Sequence, residues 1–322
     1  MDRREFLKTS AVVGGGVTAS GAFEWLRSGQ ALAASSTGCR LGVMASPRNG
    51  QTWKTAITHL EHEICRRFAI IRKYHTWEAS IPTQFETWNT HNGRTPYTSW
   101  HAIKANGTPV RWASIASGGE DGRIRSQAIS IKKWGQPLYL SFHHEPENDT
   151  GLCGTAGDFL AAWGRVRHIF GAVGVTNVTW IATLMASTYA GNNGGADSWL
   201  PSSYDLLGVD GYNRWPCISG QGWRTFAEIF APAHKVAVRR GHGLFIGEFG
   251  TVEQNACGHS SGNPRAKANW FQDSAATIKT WPQVKAACYS HTEAGNFRYW
   301  VDTTDSSLAA FRAVSLKPYF RG

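Results

Sequence analysis

The stretch Tyr139–Asp149, YLSFHHEPEND, begins as an apolar strand and ends in two histidines, two glutamates and an aspartate. Polar chemistry gathered at the C-terminal end of a strand is what a parallel α/β barrel presents at its mouth. The fold therefore turns on whether the rest of the chain supplies parallel strands and crossover helices. Strand-like runs at 39–46 (CRLGVMAS), 68–75 (FAIIRKYH), 109–116 (PVRWASIA), 137–145 (PLYLSFHHE), 178–185 (VTWIATLM), 205–213 (DLLGVDGYN), 243–250 (GLFIGEFG) and 284–294 (VKAACYSHTEA) meet that need. Between them, helical spacing of apolar residues predicts helices at 52–68, 158–174, 226–240, 264–281 and 306–316. Asp158 is the expected N-cap of the second of these, with Gly171 and Gly174 near its end, and Pro264 suits a helix N-terminus. Eight strands in this rhythm predict a (β/α)8 TIM barrel, one catalytic domain over residues 34–322. A doubly wound open sheet is the rival, weakened because neither GxGxxG nor a P-loop follows the first strand.

The composition narrows the partners. The 322 residues, 42% hydrophobic, can bury a full-sized core. The net charge is +10, but the basic residues are scattered and cluster only as pairs such as Arg66-Arg67 and Arg239-Arg240, so no nucleic acid partner is expected. Most of the 15 tryptophans belong in the core, and the remainder offer flat apolar faces of the kind sugars stack on. At the start, Arg3-Arg4 precede Phe6-Leu7-Lys8 and the weakly apolar AVVGGGVTASGAF, with small residues at Ala31-Leu32-Ala33. This resembles a twin-arginine signal peptide over residues 1–33, which implies an extracytoplasmic, secreted protein. No other stretch approaches 18 apolar residues, so no membrane association is expected after cleavage, and a monomer is expected. Six cysteines in an exported chain can pair, and the absence of any CxxC spacing speaks against structural zinc. No metal or cofactor is expected.

At the strand ends stand His143, His144 and Glu145 on the fourth, Asp210, Tyr212 and Asn213 on the sixth, and Glu248 on the seventh. Glu248 lies in an otherwise apolar run, where an ionised carboxylate needs a role or a partner; Arg72 and Arg111 are the candidate partners. Two carboxylates facing one barrel mouth are what glycosidic bond cleavage requires, one to protonate the leaving oxygen and one to attack or to direct water.

In that order and on those strands, FHHEPEND, LLGVDGYNRW and FIGEFGT resemble glycoside hydrolase family 26. That family comprises retaining (β/α)8 enzymes, among them β-mannanases, β-1,3-xylanases and mixed-linkage β-glucanases. The resemblance implies a polysaccharide substrate, Glu145 as acid/base, Glu248 as nucleophile, His144 beside the acid or the sugar, and Tyr212 donating to the nucleophile. Strict strand alternation would aim His144 away from Glu145, so the assignment also requires a bulge at the strand end. Two departures fall at sugar contacts. Pro146-Glu147-Asn148-Asp149-Thr150 replaces the Met-Asn-Gly and tryptophan of the family's mannanases, and Tyr289 is the nearest candidate for the tryptophan platform of the eighth strand.

Further residues carry weaker signals. Glu147 either shares the face of Glu145 and raises its pKa by like-charge repulsion or is a solvated loop carboxylate. Trp215 after the sixth strand and Trp112 on the third are candidate sugar platforms. His59, Glu61, His62 and Glu63 read as a solvated charged helix face. Cys217 and Cys257 follow adjacent strands and are the expected disulfide. Two other functions use the same residues: a metal-dependent hydrolase with His143, His144 and Glu145 as ligands, and a non-catalytic glycan-binding barrel.

Overall fold

The computed structural model describes residues 38–321; the signal segment 1–33 and its cleavage site lie outside the described residues. Eight parallel strands close on themselves in sequence order: β1 (Arg40–Ala45), β2 (Ile70–His75), β3 (Thr95–Trp100), β4 (Leu138–Phe142), β5 (Val178–Met185), β6 (Leu206–Asn213), β7 (Gly243–Thr251) and β8 (Val284–His291), which pairs back onto β1. The fold is a (β/α)8 barrel. Its outer ring is built from α1 (Trp53–Glu63), α2 (Gln84–His91), α3 (Trp112–Ala116), α4 (Asp121–Trp134), α5 (Ala156–Val173), α6 (Phe226–Arg240), α7 (Ala266–Thr280) and α8 (Asp305–Ser315). The β5 to β6 connection has only short helical turns, such as Ala186–Tyr189.

Four of the helices open with reciprocal capping boxes: Thr52/Thr55, Thr83/Glu86, Thr155/Asp158 and Thr225/Glu228. Each satisfies two otherwise orphaned N–H groups and contributes about 1 kcal/mol. The sequence reading placed the cap of α5 at Asp158. The cap is Thr155, with Asp158 as its partner three residues on, and the helix ends on the left-handed Gly174.

The third strand also differs from the sequence reading. Residues 109–116 form no strand; β3 is TPYTSW, and Trp112–Ala116 is a single short helix. Pro96 lacks an N–H and argues against a central strand, yet it is accommodated opposite Ile71. The segment after β3 then doubles back at Asn106-Gly107, with Lys104 N–H donating to Thr108 O at 2.8 Å.

Alternate strand residues fill the barrel. Ile70, Tyr97, Tyr139, Ile181, Leu206, Phe245, Ala286 and Cys288 make the inner core, while residues of opposite parity pack outward on the helices with Trp112, Trp163, Phe170 and Phe226. Burying each large apolar side chain contributes about 1.5–3 kcal/mol, and the filled interior confines chemistry to the layer above it. Cys217 and Cys257 form the expected disulfide, which ties the loops after β6 and β7 across a Cα separation of 5.3 Å. Among the described residues no helix is long and apolar enough to cross a membrane.

Candidate active site

Regular alternation along β7 would have turned Glu248 away from the mouth. Phe245 faces the interior, so period 2 would place Gly247 inward and Glu248 outward. A β-bulge resets the count. On one side Val209 pairs with Ile246 and Asp210 with Glu248, leaving Gly247 unmatched; on the other, β7 takes three steps from Ile246 to Phe249 while β8 takes two, from Ala287 to Tyr289. Gly247 is the extra residue, and the carboxylate after it swings into the barrel. Glycine is required there because a Cβ would lie 2.5 Å from Asp210 Oδ1 and 3.1 Å from Tyr97 Oη. Gly247→Ala is expected to cost about 1–3 kcal/mol of stability through this overpacking, and to lower turnover by moving Asp210. Thermal unfolding and steady-state kinetics of the variant check both effects.

Three donors hold Glu248. Arg72 Nη2 donates to Oε1 at 2.7 Å, Tyr74 Oη donates to the same oxygen, and Tyr212 Oη donates to Oε2. Arg72 and Tyr74 sit two apart on β2 and so share its inward face. Arg72 also reaches Asp210 Oδ2 at 3.3 Å and lies against the Tyr97 ring at 4.3 Å. Of the two arginines the sequence offered, Arg72 is the partner; Arg111 stands at the N-cap of α3.

The protonation states follow from this packing. Burial opposes the charge on Arg72, but Tyr74, Tyr97, Asp210 and Glu248 outweigh it and hold the guanidinium charged. Burial, then the charge of Glu248, lifts Asp210 well above the carboxylate range, so it stays protonated. Tyr74 and Tyr212 are raised by burial and by Glu248, and so remain donors. One buried cation thus pairs with one anion, and Glu248 is the ionised carboxylate.

Glu145 is half-exposed on the opposite side of the mouth. The strand β4 stops at Phe142, and the next three residues do not continue its alternation, because His143 and Glu145 both take left-handed backbone conformations with φ near 49°. Non-glycine residues pay for that conformation and tolerate it where the surroundings enforce it. The two turns replace the bulge expected at this strand end and let His144 and Glu145 both face inward. Glu145 N–H is anchored to Thr183 O at 2.9 Å, and Asn148 Nδ2 donates to its Oε2 at 2.9 Å. His144 Nε2 stands 3.7 Å from Glu248 Oε1, an electrostatic contact longer than a hydrogen bond, while its Nδ1 bonds His101 Nε2 at 2.6 Å. When ionised, Glu145 adds a smaller upward push on Asp210 than burial and Glu248 do, so the carboxyls of the mouth interact electrostatically.

The barrel has solved counterparts. The chain superposes on a Cellulomonas fimi endo-β-1,4-mannanase double mutant with a TM-score of 0.59 at 17% identity, covering 90% of this chain and 74% of that one. It superposes equally, at 11% identity, on the GH26 domain of a Prevotella bryantii endo-β-mannanase/endo-β-glucanase, covering 90% and 91%. The fold is that of the family 26 glycoside hydrolases. Endoglucanase H of Acetivibrio thermocellus is 24% identical over 302 residues, 89% of this chain; the match spans 31% of that curated relative's length. No family model matches the chain.

Within this family 26 fold, several expected sugar contacts prove to be structural. Trp112 lies on α3 with 0% exposure, edge-on to Phe159 and Trp199, so it is no platform. Tyr289 has the wrong parity on β8: with Cys288 and Ser290 inward, it points at the helices, packs on Phe271 and Phe311, and donates to Tyr299 O at 2.6 Å. Ser290 takes the mouth-facing position and bonds Tyr212 at 2.9 Å. His143 is fully buried and holds the loop. Its Nδ1 accepts from Ala102 N–H at 3.2 Å and Trp112 Nε1 at 3.3 Å, so its Nε2 carries the proton donated to Asp149 Oδ2 at 2.8 Å. His143 and His144 therefore face different partners, and the metal triad with Glu145 is not assembled. Trp215 is half-exposed on the rim, edge-on to His259 at 4.8 Å. Trp53, which the sequence reading did not single out, is half-buried over Met44 and Tyr74.

Glu147 is no solvated loop carboxylate, although it does feel the charge of Glu145. It is 6% exposed, and its Oε1 accepts from Met185 N–H at 2.6 Å and Thr188 Oγ1 at 2.8 Å, which pins the loop after β4 to the end of β5. Burial, with a smaller push from Glu145, raises its pKa to about 7. The folded state thus holds a proton that the unfolded chain releases at a lower pH, so this contribution is complete below the ordinary carboxylate range and is lost as pH rises through about 7. Glu147→Gln mimics the protonated form. It is expected to match wild type near pH 4 and exceed it by about 3 kcal/mol above pH 7, as a difference in thermal unfolding measured at the two pH values.

Proposed function

We propose that this protein is a retaining endo-β-glycanase acting on β-mannan or a related β-glycan. Glu248 attacks the anomeric carbon while Glu145 gives its proton to the departing glycosidic oxygen. Water then attacks the glycosyl-Glu248 ester, and Glu145 takes a proton from that water. The observation that carries this reading is the asymmetry of the two carboxylates. Glu248 is ionised and fixed by Arg72, Tyr74 and Tyr212, as a nucleophile must be, and Glu145 is open enough to exchange protons with solvent. His144 adjoins Glu145 in the chain and stands 3.7 Å from Glu248, and the half-exposed Trp215 and Trp53 offer aromatic faces for sugar rings. The names of the related proteins, mannanases and an endoglucanase, support a β-glycan, while the departures at Pro146–Thr150 bear on which one.

The twin-arginine-like start supports a reaction outside the cytoplasm, and the Cys217–Cys257 disulfide is in keeping with an oxidising compartment. The test is release of reducing ends from mannan, glucomannan, β-1,3-xylan, mixed-linkage glucan and acidic glycans, comparing wild type with Glu248→Ala. Activity on one polymer, absent in the variant, is the expected result. Binding without release would instead make the protein a glycan-binding barrel.

A further inference from the structure

Tyr212, the donor to Glu248 Oε2, is packed against a segment that the reaction does not otherwise use. After β8 the chain doubles back as a two-stranded hairpin, Glu293–Ala294 against Phe297–Arg298, through a turn in which Gly295 takes the left-handed conformation with φ 57°. Phe297 and Tyr299 stand two apart on the returning arm, and their rings stack at 6.0 Å with planes 18° apart. Tyr299 extends that stack onto Tyr212, with ring centroids 4.7 Å apart and planes at 31°. The residue paired with Tyr212 across β6 and β7 is a glycine, and a Cβ on Gly250 would lie 3.0 Å from the Tyr212 ring and 3.1 Å from that of Tyr299. The glycine lets the two rings close over the strand.

The arm that carries Tyr299 is anchored along its backbone. Tyr299 N–H donates to Thr292 O at 2.9 Å, Tyr289 Oη to Tyr299 O at 2.6 Å, and the buried Lys267 of α7 to Trp300 O at 2.6 Å. From the loop after β6, Arg214 Nε donates to Tyr299 Oη at 3.3 Å, and its guanidinium lies over the rings of Tyr212 and Phe297 at 5.2 and 5.3 Å. The sulfurs of Cys217 and Cys257 lie 3.9 and 3.4 Å from Asn296 O at the hairpin's tip, so the loops after β6, β7 and β8 meet there. Tyr299 itself is 2% exposed. A sugar in the mouth cannot reach it, so its effect on the reaction passes through Tyr212.

We infer that Tyr299 is a positioning residue: its ring fixes the plane of Tyr212, so that the phenol stays on Glu248 Oε2 while the nucleophile attacks. The hydrogen bond alone holds only the tip of a side chain with two free torsions. This role rests on the glycanase reading of the mouth, but the test separates the two. Tyr299→Leu keeps apolar volume and removes the flat face; circular dichroism checks that it folds. Its kcat on the hydrolysed polymer should fall about tenfold or more, the scale on which a small misplacement of a catalytic group acts, with KM within about twofold of wild type. Tyr299→Phe keeps the ring and should stay within about threefold of wild type. In a Tyr212→Phe background, Tyr299→Leu should change kcat by less than about twofold, because the hydroxyl it positions is gone. A crystal structure of Tyr299→Leu should show Tyr212 Oη more than about 3.5 Å from Glu248 Oε2. Where Tyr299→Leu does not fold, Gly250→Ala presses on the same two rings from β7 and replaces it in each measurement. An unchanged kcat, or a loss of equal size in the Tyr212→Phe background, would overturn the role and leave the glycanase standing. Where wild type cleaves nothing, the crystal structure decides: Tyr212 displaced from Glu248 would uphold the positioning and remove the glycanase, and Tyr212 undisturbed would overturn the positioning as well.

Discussion

Glu248→Gln is expected to lower turnover on the cleaved polymer by about 10⁴-fold or more while oligosaccharide binding changes little. The amide keeps the size of the carboxylate and a carbonyl oxygen for Arg72 or Tyr212, but it cannot form the glycosyl ester on which a double displacement depends. The companion variant separates the two roles. Glu145→Gln loses activity on the polymer by the ~10²–10⁴-fold typical of general acid–base catalysis, yet retains most of its first step on an aryl glycoside whose acidic phenol departs without a proton. Accumulation of a covalent glycosyl-enzyme in Glu145→Gln, seen by intact mass with such a substrate, would identify Glu248 as the attacking group. Turnover within tenfold of wild type in Glu248→Gln would remove it from that role.

The barrel was legible in the sequence because seven of its eight strands are apolar runs bounded by turns, each followed by helical spacing or a polar strand end. The exception, TPYTSW, hides behind a proline and small polar residues, and its neighbour PVRWASIA mimics a strand through Val110, Trp112 and Ile115. At the site, the carboxylates were readable because charge at the end of an apolar run is costly. Their supports were less so. Arg72 and Tyr74 alternate on β2 as two polar groups of one parity in FAIIRKYH, a spacing that puts both on one face of the strand. Parity misled at Tyr289, and no local pattern marks the left-handed turns at His143 and Glu145, while the isolated Gly247 within an apolar run is the one local sign of the bulge. Those features are imposed by the contacts among strands, which one strand's sequence does not contain.

Arg72→Leu is expected to destabilise the fold by about 3–5 kcal/mol, the usual cost of removing one partner from a buried ion pair. The reason lies in how the barrel balances its charges. Arg72 is fully buried beneath two carboxyls, and its single positive charge is what allows Glu248 to ionise while Asp210 keeps its proton. Without it, both carboxyls face a low-dielectric interior, and the cheapest response is for Glu248 to hold a proton as well. Its folded pKa would then stand above its unfolded value, so the variant's stability should be greatest at low pH and decline as pH rises past the ordinary carboxylate range. Unfolding by urea at pH 4 and pH 8 would show a deficit that widens with pH. Activity should fall even where the protein is folded, since a protonated Glu248 is no nucleophile. Adding Asp210→Asn to Arg72→Leu should remove only the part of the decline that Asp210 contributes through its own raised pKa and leave the part due to Glu248; if the decline vanished altogether, Glu248 would have stayed ionised without Arg72.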